Sequence, residues 1–301
     1  MTRIGFIGVG TMGLPMAINL VRKGFAVTAH DTNADAVRAA AAAGMRAAAS
    51  AAEAVAASDI VITMLPSSPH VETVYTGDGG VIAAAREGTL CVDMSTIDPA
   101  VSRRLAAAAG ERGLRFIDAP VSGGVPRATD GTLAIMVGGA TADVEEARPA
   151  LSAMGANVIH VGPVGSGEVV KLCNNLIAGV AAVAVSEAFR IAEGFGVGPK
   201  IVTEVISKSS GHTWIMEHMH PVAGLTPKAA STNGYQPGFM TDLMCKDLGL
   251  AVDAARGLRV PVFVAPAAQQ LYRLASSHGL GRKDFTSVYT LLKPSGDAAP
   301  V

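Results

Sequence analysis

The feature that most restricts the fold is a glycine pattern placed between two kinds of periodicity. Ile4–Ile7 is a short apolar run, Gly8-Val9-Gly10-Thr11-Met12-Gly13 follows at once, and Met12–Lys23 then puts Met12, Met16, Ala17 and Leu20 on one helical face. A strand, a tight turn and a helix in that order bring the open N–H groups and partial positive charge of a helix N-terminus to the turn, where phosphates bind. Gly8 permits the turn, Gly10 lets the backbone approach a pyrophosphate, and Gly13 lets the helix pack on the strand; Thr11 and Met12 complete the expected contact loop. The next strand, Val27–Ala29, leads to Asp31, followed by Thr32 and Asn33 rather than an arginine. A carboxylate there accepts hydrogen bonds from ribose hydroxyls and repels a 2′-phosphate, so the pattern predicts NAD in preference to NADP. Taken alone, the same residues also fit a structural turn and a surface aspartate.

The chain continues in alternation: helix Asp35–Ala43, strand Ile60–Leu65 stopped by Pro66, strand Leu90–Asp93, helix Pro99–Ala109, strands Arg115–Asp118 and Leu133–Val137. Strands alternating with helices, and apolar almost throughout, predict a parallel, doubly wound sheet covered on both faces. The pattern changes at the breaker cluster Gly162, Pro163, Gly165, Gly167. From Glu168 to Glu193 no proline interrupts a helical spacing of Val169, Leu172, Cys173, Leu176, Val180, Val183 and Ala184. That predicts a helix about 39 Å long at 1.5 Å per residue. Helical segments follow at Lys200–Ser207, Leu243–Ala255 and Pro266–Ser277, without strand patterns.

Composition narrows the function classes. With 301 residues, 50% of them hydrophobic and 16% charged, the chain can build two domains with large cores. Lys and Arg total 24 against 25 Asp and Glu, and no basic stripe stands out, which argues against a nucleic-acid partner. Cys91, Cys173 and Cys245 lie far apart with no CxxC, which argues against a disulfide framework or structural zinc; no metal is expected. The longest unbroken apolar run, Leu176–Val185, falls short of the roughly 20 residues a bilayer needs. The N-terminus does not read as a signal peptide. The expectation is a soluble cytoplasmic protein without a membrane partner.

Several blocks together carry a family resemblance: GFIGVGTMGLPMAINL at 5–20, MLP at 64–66, DMSTIDP at 93–99, DAPVSGGVPRATDGTLAIMVGG at 118–139, GSGEVVKLCNN at 165–175 and KDLGLA at 246–251. In this order they resemble the β-hydroxyacid dehydrogenases, relatives of 6-phosphogluconate dehydrogenase, over essentially the whole chain. SSGHTW at 209–214 and NGYQPGFMTDLMCKDLGLA at 233–251 are most similar to the 3-hydroxyisobutyrate dehydrogenase branch. The resemblance implies an α/β Rossmann-type NAD-binding domain, 1–163, and an all-α substrate and oligomerisation domain, 164–301, joined by the long bridging helix.

It also implies roles. Lys171 and Asn175, at i and i+4, share a helix face. Lys171 would be the general acid/base, taking the hydroxyl proton while hydride leaves the carbon. A lysine near its ordinary pKa of about 10.4 is a poor base at neutral pH, so burial and a nearby cation would have to lower it. Asn175 would hold the reacting hydroxyl or position the lysine. Ser122, Gly123 and Gly124 would form an anion cradle for the substrate carboxylate. Leu65, Pro66 and Thr96, at carboxyl ends of strands, would contact the cofactor. His70 stands where these enzymes often carry asparagine; it is either a retained cofactor contact or an exposed residue at a helix start. Lys246 would reach the cofactor and lower the Lys171 pKa, and Asp247 would help fix the site. Trp214 and Phe239 would wall the substrate pocket, although the default place for such aromatics is a core.

The implied activity is NAD-dependent oxidation of 3-hydroxyisobutyrate to methylmalonate semialdehyde, in valine catabolism, by a homodimer or homotetramer. The alternatives are a sister enzyme for another small β-hydroxy carboxylate, such as tartronate semialdehyde reductase, and a non-catalytic NAD(H)-binding scaffold.

Overall fold

The computed structural model describes residues 1–293. It comprises two compact units, Met1–Lys171 and the chain from Leu172 onward. The division falls inside the long helix, rather than at the expected 163/164.

The first unit is built on a nine-stranded sheet. In chain order its elements are β1 (Arg3–Ile7), α1 (Gly13–Arg22), β2 (Ala26–His30), α2 (Ala34–Ala42), β3 (Arg46–Ala47), α3 (Ala51–Val55), β4 (Ile60–Thr63), α4 (Ser68–Thr76), α5 (Val81–Ala84), β5 (Leu90–Asp93) and α6 (Pro99–Gly110). There follow β6 (Arg115–Asp118), β7 (Val121–Ser122), α7 (Gly124–Asp130), β8 (Leu133–Gly138), α8 (Thr141–Met154) and β9 (Gly155–Gly162). Strands run β3-β2-β1-β4-β5-β6 in parallel, the doubly wound order, with the direction of crossing reversed between β1 and β4.

Beyond β6 the expected parallel sheet gives way to a mixed one. β8 is antiparallel to β6 and β7, and β9 returns parallel to β8. An apolar run marks a buried strand but not its direction.

Both faces are packed, and the strand period of two divides the residues between them. Ile60, Ile62, Leu90 and Val92 join Met16 and Leu20 of α1 and Leu151 and Met154 of α8 in one core. Val61 and Cys91 join Val71 and Tyr75 of α4 and Val101 and Leu105 of α6 in the other. Each fully buried Leu or Ile in such a core contributes about 1.5–3 kcal/mol.

The long helix, α9 (Ser166–Gly194), has 29 residues. By length and composition alone it could cross a membrane. Its buried positions include Glu168, Lys171, Asn175 and Ser186, a polar series that calls for polar partners.

The second unit continues with α10 (Pro199–Ser207), α11 (Trp214–His218), α12 (Thr241–Gly257), α13 (Val264–Ala275) and irregular turns ending in the 3-10 segment Phe285–Leu292. Among the described residues it contains only an isolated bridge, Met240 to Asp284, in place of strands, in accord with the expected all-α character. Its core joins Ala182, Ile215, Met244, Leu248, Tyr272 and Phe285. The Tyr272 hydroxyl donates to the Gly179 carbonyl at 2.9 Å, fixing α13 to α9.

Candidate active site

The glycine loop has the form its residues require. Gly8 sits at φ +94°, a conformation that L side chains rarely adopt, and a Cβ on Gly13 would collide with the Gly8 carbonyl. Gly10 differs: a Cβ there would meet nothing within 4 Å. The loop therefore has room beside Gly10 for a ligand, as a pyrophosphate contact needs. Thr11 and Met12 lie between this glycine and the start of α1.

Asp31 follows β2. Its Oδ1 accepts the Asn33 N–H at 2.8 Å, and Asn33 in turn caps α2 by accepting the Asp35 N–H at 2.9 Å. Asp31 lines a hollow with His30, Thr32, Val37, Arg38 and Ala49, where an adenosine end would lie. The residues thus fit a dinucleotide: an open glycine loop and, at the neighbouring strand end, an acid lining a hollow.

The β4 and β5 ends are joined by a buried relay. Asp93, the last residue of β5, accepts from Thr63 Oγ1 at 2.7 Å and from Ser95 Oγ at 2.6 Å, both at Oδ1. Ser95 Oγ then accepts the Leu65 backbone N–H at 2.9 Å. Burial pushes the Asp93 carboxyl up to about 6, against the opposing effect of the two hydroxyls. Leu65, Pro66 and Thr96 therefore belong to two loops held in a fixed relation. His70 is exposed in the first turns of α4, with its Nδ1 2.7 Å from Ser67 Oγ.

Ser122 ends β7, and Gly123 and Gly124 follow at φ +138° and +65°. Ser122, Gly123 and Gly124 thus form a tight turn set on a strand paired with β8.

The start of α9 is clamped. Asp118, the end of β6, accepts the Gly165 N–H at 2.6 Å and the Glu168 N–H at 2.9 Å. Burial raises the Asp118 carboxyl, and these backbone donors oppose the rise. A Cβ on Gly167 would collide with the Met136 carbonyl, so glycine there lets the helix start seat directly on the strand ends. Glu168 is fully buried and its Oε2 accepts the Ile97 N–H at 3.2 Å, one residue beyond Thr96. Lys171 follows one turn later on the same face and is only 5% exposed.

In the second unit, Asn175 Nδ2 donates to Asp247 Oδ2 at 2.5 Å, and Lys246 Nζ lies 3.2 Å from Asp247 Oδ1. Asn174 donates to Asn175 Oδ1 at 3.0 Å. The structure brings Asn175, Lys246 and Asp247 into one polar group at the second turn of α12. Phe239 is half-buried against the unit's core, with its ring edge to Phe285 and its N–H on Asp284. Trp214 is 54% exposed and stacks on His218 at 4.7 Å, so the core position usual for a lone tryptophan does not hold.

Asp93, Asp118 and Glu168 carry no role in the sequence reading. Their signal was present: the apolar strands LCVD and RFID each close on a carboxylate, and the two aspartates are register partners on adjacent strands.

Residues 3–162 match the NAD binding domain of 6-phosphogluconate dehydrogenase, and residues 165–292 match the NAD-binding region of NADP-dependent 3-hydroxyisobutyrate dehydrogenase. The chain is 43% identical to an NAD-dependent L-serine dehydrogenase of Pseudomonas aeruginosa, covering 98% of this chain and 99% of that protein. It is 41% identical to the mitochondrial 3-hydroxyisobutyrate dehydrogenase of Rattus norvegicus, covering 97% and 87%. A solved structure of Mycobacterium tuberculosis 3-hydroxyisobutyrate dehydrogenase with L-serine superposes with a TM-score of 0.93 at 41% identity, covering 98% of this chain and all of that one.

Proposed function

The chain belongs to the β-hydroxyacid dehydrogenase family, and on that premise we propose that it oxidises 3-hydroxyisobutyrate to methylmalonate semialdehyde. It is an NAD-binding oxidoreductase with a Rossmann fold. The observation that carries the mechanism is the buried Lys171, one turn beyond a helix start held by Asp118.

When bound, NAD+ supplies the hydride acceptor. Lys171 takes the hydroxyl proton as the C–H bond of the CH2OH carbon gives up hydride, so the alcohol becomes an aldehyde and the amine an ammonium. Ser122, Gly123 and Gly124 hold the carboxylate and so decide which carbon is presented. Asn175, held by Asp247, positions the hydroxyl end. Gly8, Gly10 and Gly13 receive the pyrophosphate and Asp31 the ribose; Leu65, Pro66 and Thr96 face the nicotinamide half, with Lys246 as its cationic contact.

A second reading is L-serine, favoured by the Pseudomonas relative and by the L-serine in the Mycobacterium structure. The two substrates share a primary alcohol β to a carboxylate and differ at C2, methyl against ammonium. Retention of Lys171 favours an enzyme over a cofactor-binding scaffold. Steady-state NAD+ reduction with 3-hydroxyisobutyrate, L-serine, D-glycerate, 3-hydroxypropionate and 6-phosphogluconate decides the substrate. The proposal expects the highest kcat/KM for 3-hydroxyisobutyrate; a higher value for L-serine replaces it with the second reading.

In the cell this activity would serve valine catabolism. The cytoplasm fits the free Cys91, Cys173 and Cys245. We also assign the chain to a homodimer or homotetramer. No residue of α10 is buried, and its Ile201 and Val205, one turn apart, are 62% and 58% exposed. A second copy is the occupant proposed for this face. Light scattering after gel filtration checks it: a monomeric mass rejects the assignment.

A further inference from the structure

We propose that Asp93 and Ser95 are positioning residues that hold the β4 and β5 loops in the arrangement that binds the nicotinamide half of the cofactor. This rests on the reading of Leu65, Pro66 and Thr96 as contacts to that half.

The geometry is a chain of buried hydrogen bonds between two strands. Asp93 Oδ1 gathers the Thr63 hydroxyl from β4 and the Ser95 hydroxyl from its own loop. Ser95 Oγ uses its remaining acceptor capacity on the Leu65 N–H. The Tyr75 hydroxyl approaches Thr63 Oγ1 at 3.4 Å, closing the network from α4. Thr63, Asp93 and Ser95 are all completely buried. None needs to touch a ligand to act: Leu65 follows Thr63 by two residues, and Thr96 follows Ser95 directly.

The β4 loop also packs closely beside Gly8. A Cβ on Gly8 would collide with the Met64 carbonyl and stand 3.0 Å from Leu65 Cδ2. A second tie runs alongside, the Asp98 N–H to Ser68 Oγ at 3.1 Å. Both bonds tie the β4 loop to the β5 loop, and the Ser95 bond does so at the residue next to Pro66.

Thr63 and Ser95 place their protons on one carboxyl oxygen, while Asp93 Oδ2 has no hydrogen-bond partner among the described residues. An asparagine in place of Asp93 keeps an acceptor for both hydroxyls; an alanine removes it. Ser95→Ala cuts the relay at its middle and leaves the Leu65 N–H without its acceptor.

The test measures binding of NAD+ and of ADP-ribose, which lacks the nicotinamide, by calorimetry on the full chain. The variants are Ser95→Ala, Asp93→Ala, Asp93→Asn and, as a control on the loop reading, Thr96→Tyr. Loss of one net hydrogen bond corresponds to about a tenfold change in affinity. Ser95→Ala and Asp93→Ala are expected to weaken NAD+ about tenfold with ADP-ribose within twofold of the parent, and Asp93→Asn to behave like the parent with both. Thr96→Tyr is expected to weaken NAD+ selectively. Equal effects of Ser95→Ala on both ligands, or none on either, overturn the positioning role when Thr96→Tyr remains selective. If Thr96→Tyr is itself unselective, the loop reading fails and the proposal falls with it. Should Asp93→Ala not fold, Ser95→Ala alone decides.

Discussion

The Asp118 carboxylate, at the end of β6, accepts the backbone N–H of Glu168 at 2.9 Å and so caps the helix that carries Lys171. The cap comes from a strand and not from the residue preceding the helix. The same carboxylate takes the Gly165 N–H, so two otherwise open donors at the helix start are satisfied by one buried side chain.

Removing this acceptor should therefore be costly. Asp118→Ala is expected to lower stability by about 2–4 kcal/mol, since each buried donor left unpaired costs about 1–3 kcal/mol. Asp118→Asn, which keeps one acceptor oxygen, should lose less. Urea denaturation checks both; an alanine variant within 0.5 kcal/mol of the parent, roughly the scatter of a surface substitution, refutes the clamp.

Lys171→Ala should abolish turnover, by at least about 100-fold as for loss of a general acid/base, while NAD+ still binds within a few-fold of the parent. Single-turnover kinetics beside a binding titration separate the two. A near-normal rate would remove the lysine from the mechanism.

Gly10 and Gly13 should fail differently. An alanine Cβ at position 10 meets nothing within 4 Å among the described residues, whereas at position 13 it strikes the Gly8 carbonyl. Gly10→Ala is expected to keep the parent's melting temperature and lose NAD+ affinity at least about tenfold, about 1.4 kcal/mol. Gly13→Ala should lose both stability and binding. Equal melting temperatures for the two variants would contradict the packing described.

The role proposed for Asp31 is to set the cofactor choice. Asp31→Ala should cut the ratio of kcat/KM for NAD+ over NADP+ by at least about tenfold, through loss of ribose hydrogen bonds and of repulsion toward a 2′-phosphate. Parallel assays with the two cofactors measure it, and an unchanged ratio rules the role out.

Asp93 predicts a pH dependence. Its folded carboxyl titrates near 6, above the ordinary aspartate value, because burial disfavours the ionised form. The native state therefore holds the proton more tightly than the unfolded chain. The resulting stabilisation is complete below the ordinary aspartate pKa and is lost as pH rises through about 6. Asp93→Asn should thus gain stability relative to the parent between pH 4 and pH 8, by an amount on the order of 3 kcal/mol. Urea midpoints across that interval test it; a difference that does not move with pH excludes Asp93 as its source.

Much of this organisation was legible before the structure. The strand-turn-helix around Gly8–Gly13 announces itself because glycine spacing, apolar runs and helical periodicity agree. Lys171 and Asn175 stood out because polar residues interrupt an apolar helix. The strand β9 is not legible in the sequence: its residues are mostly half-exposed or exposed, so burial imposes little pattern. β3, with two residues, is too short to show a period. The helix α8 is masked by Pro149 in its interior. Asp93 and Asp118 are not legible in the sequence because a single carboxylate at a strand end resembles any loop acid. What distinguishes them is burial and the donors they collect, which come from residues up to 50 positions away.

Trp214, the sole tryptophan, lies at the head of α11 against the imidazole of His218. Tryptophan emission, excited at the red edge where tyrosine does not absorb, is therefore a local reporter of the helical unit, while far-ultraviolet dichroism averages over the entire backbone. Melting curves recorded by the two signals on one sample would reveal whether the halves of this polypeptide come apart together or in turn, with no label attached.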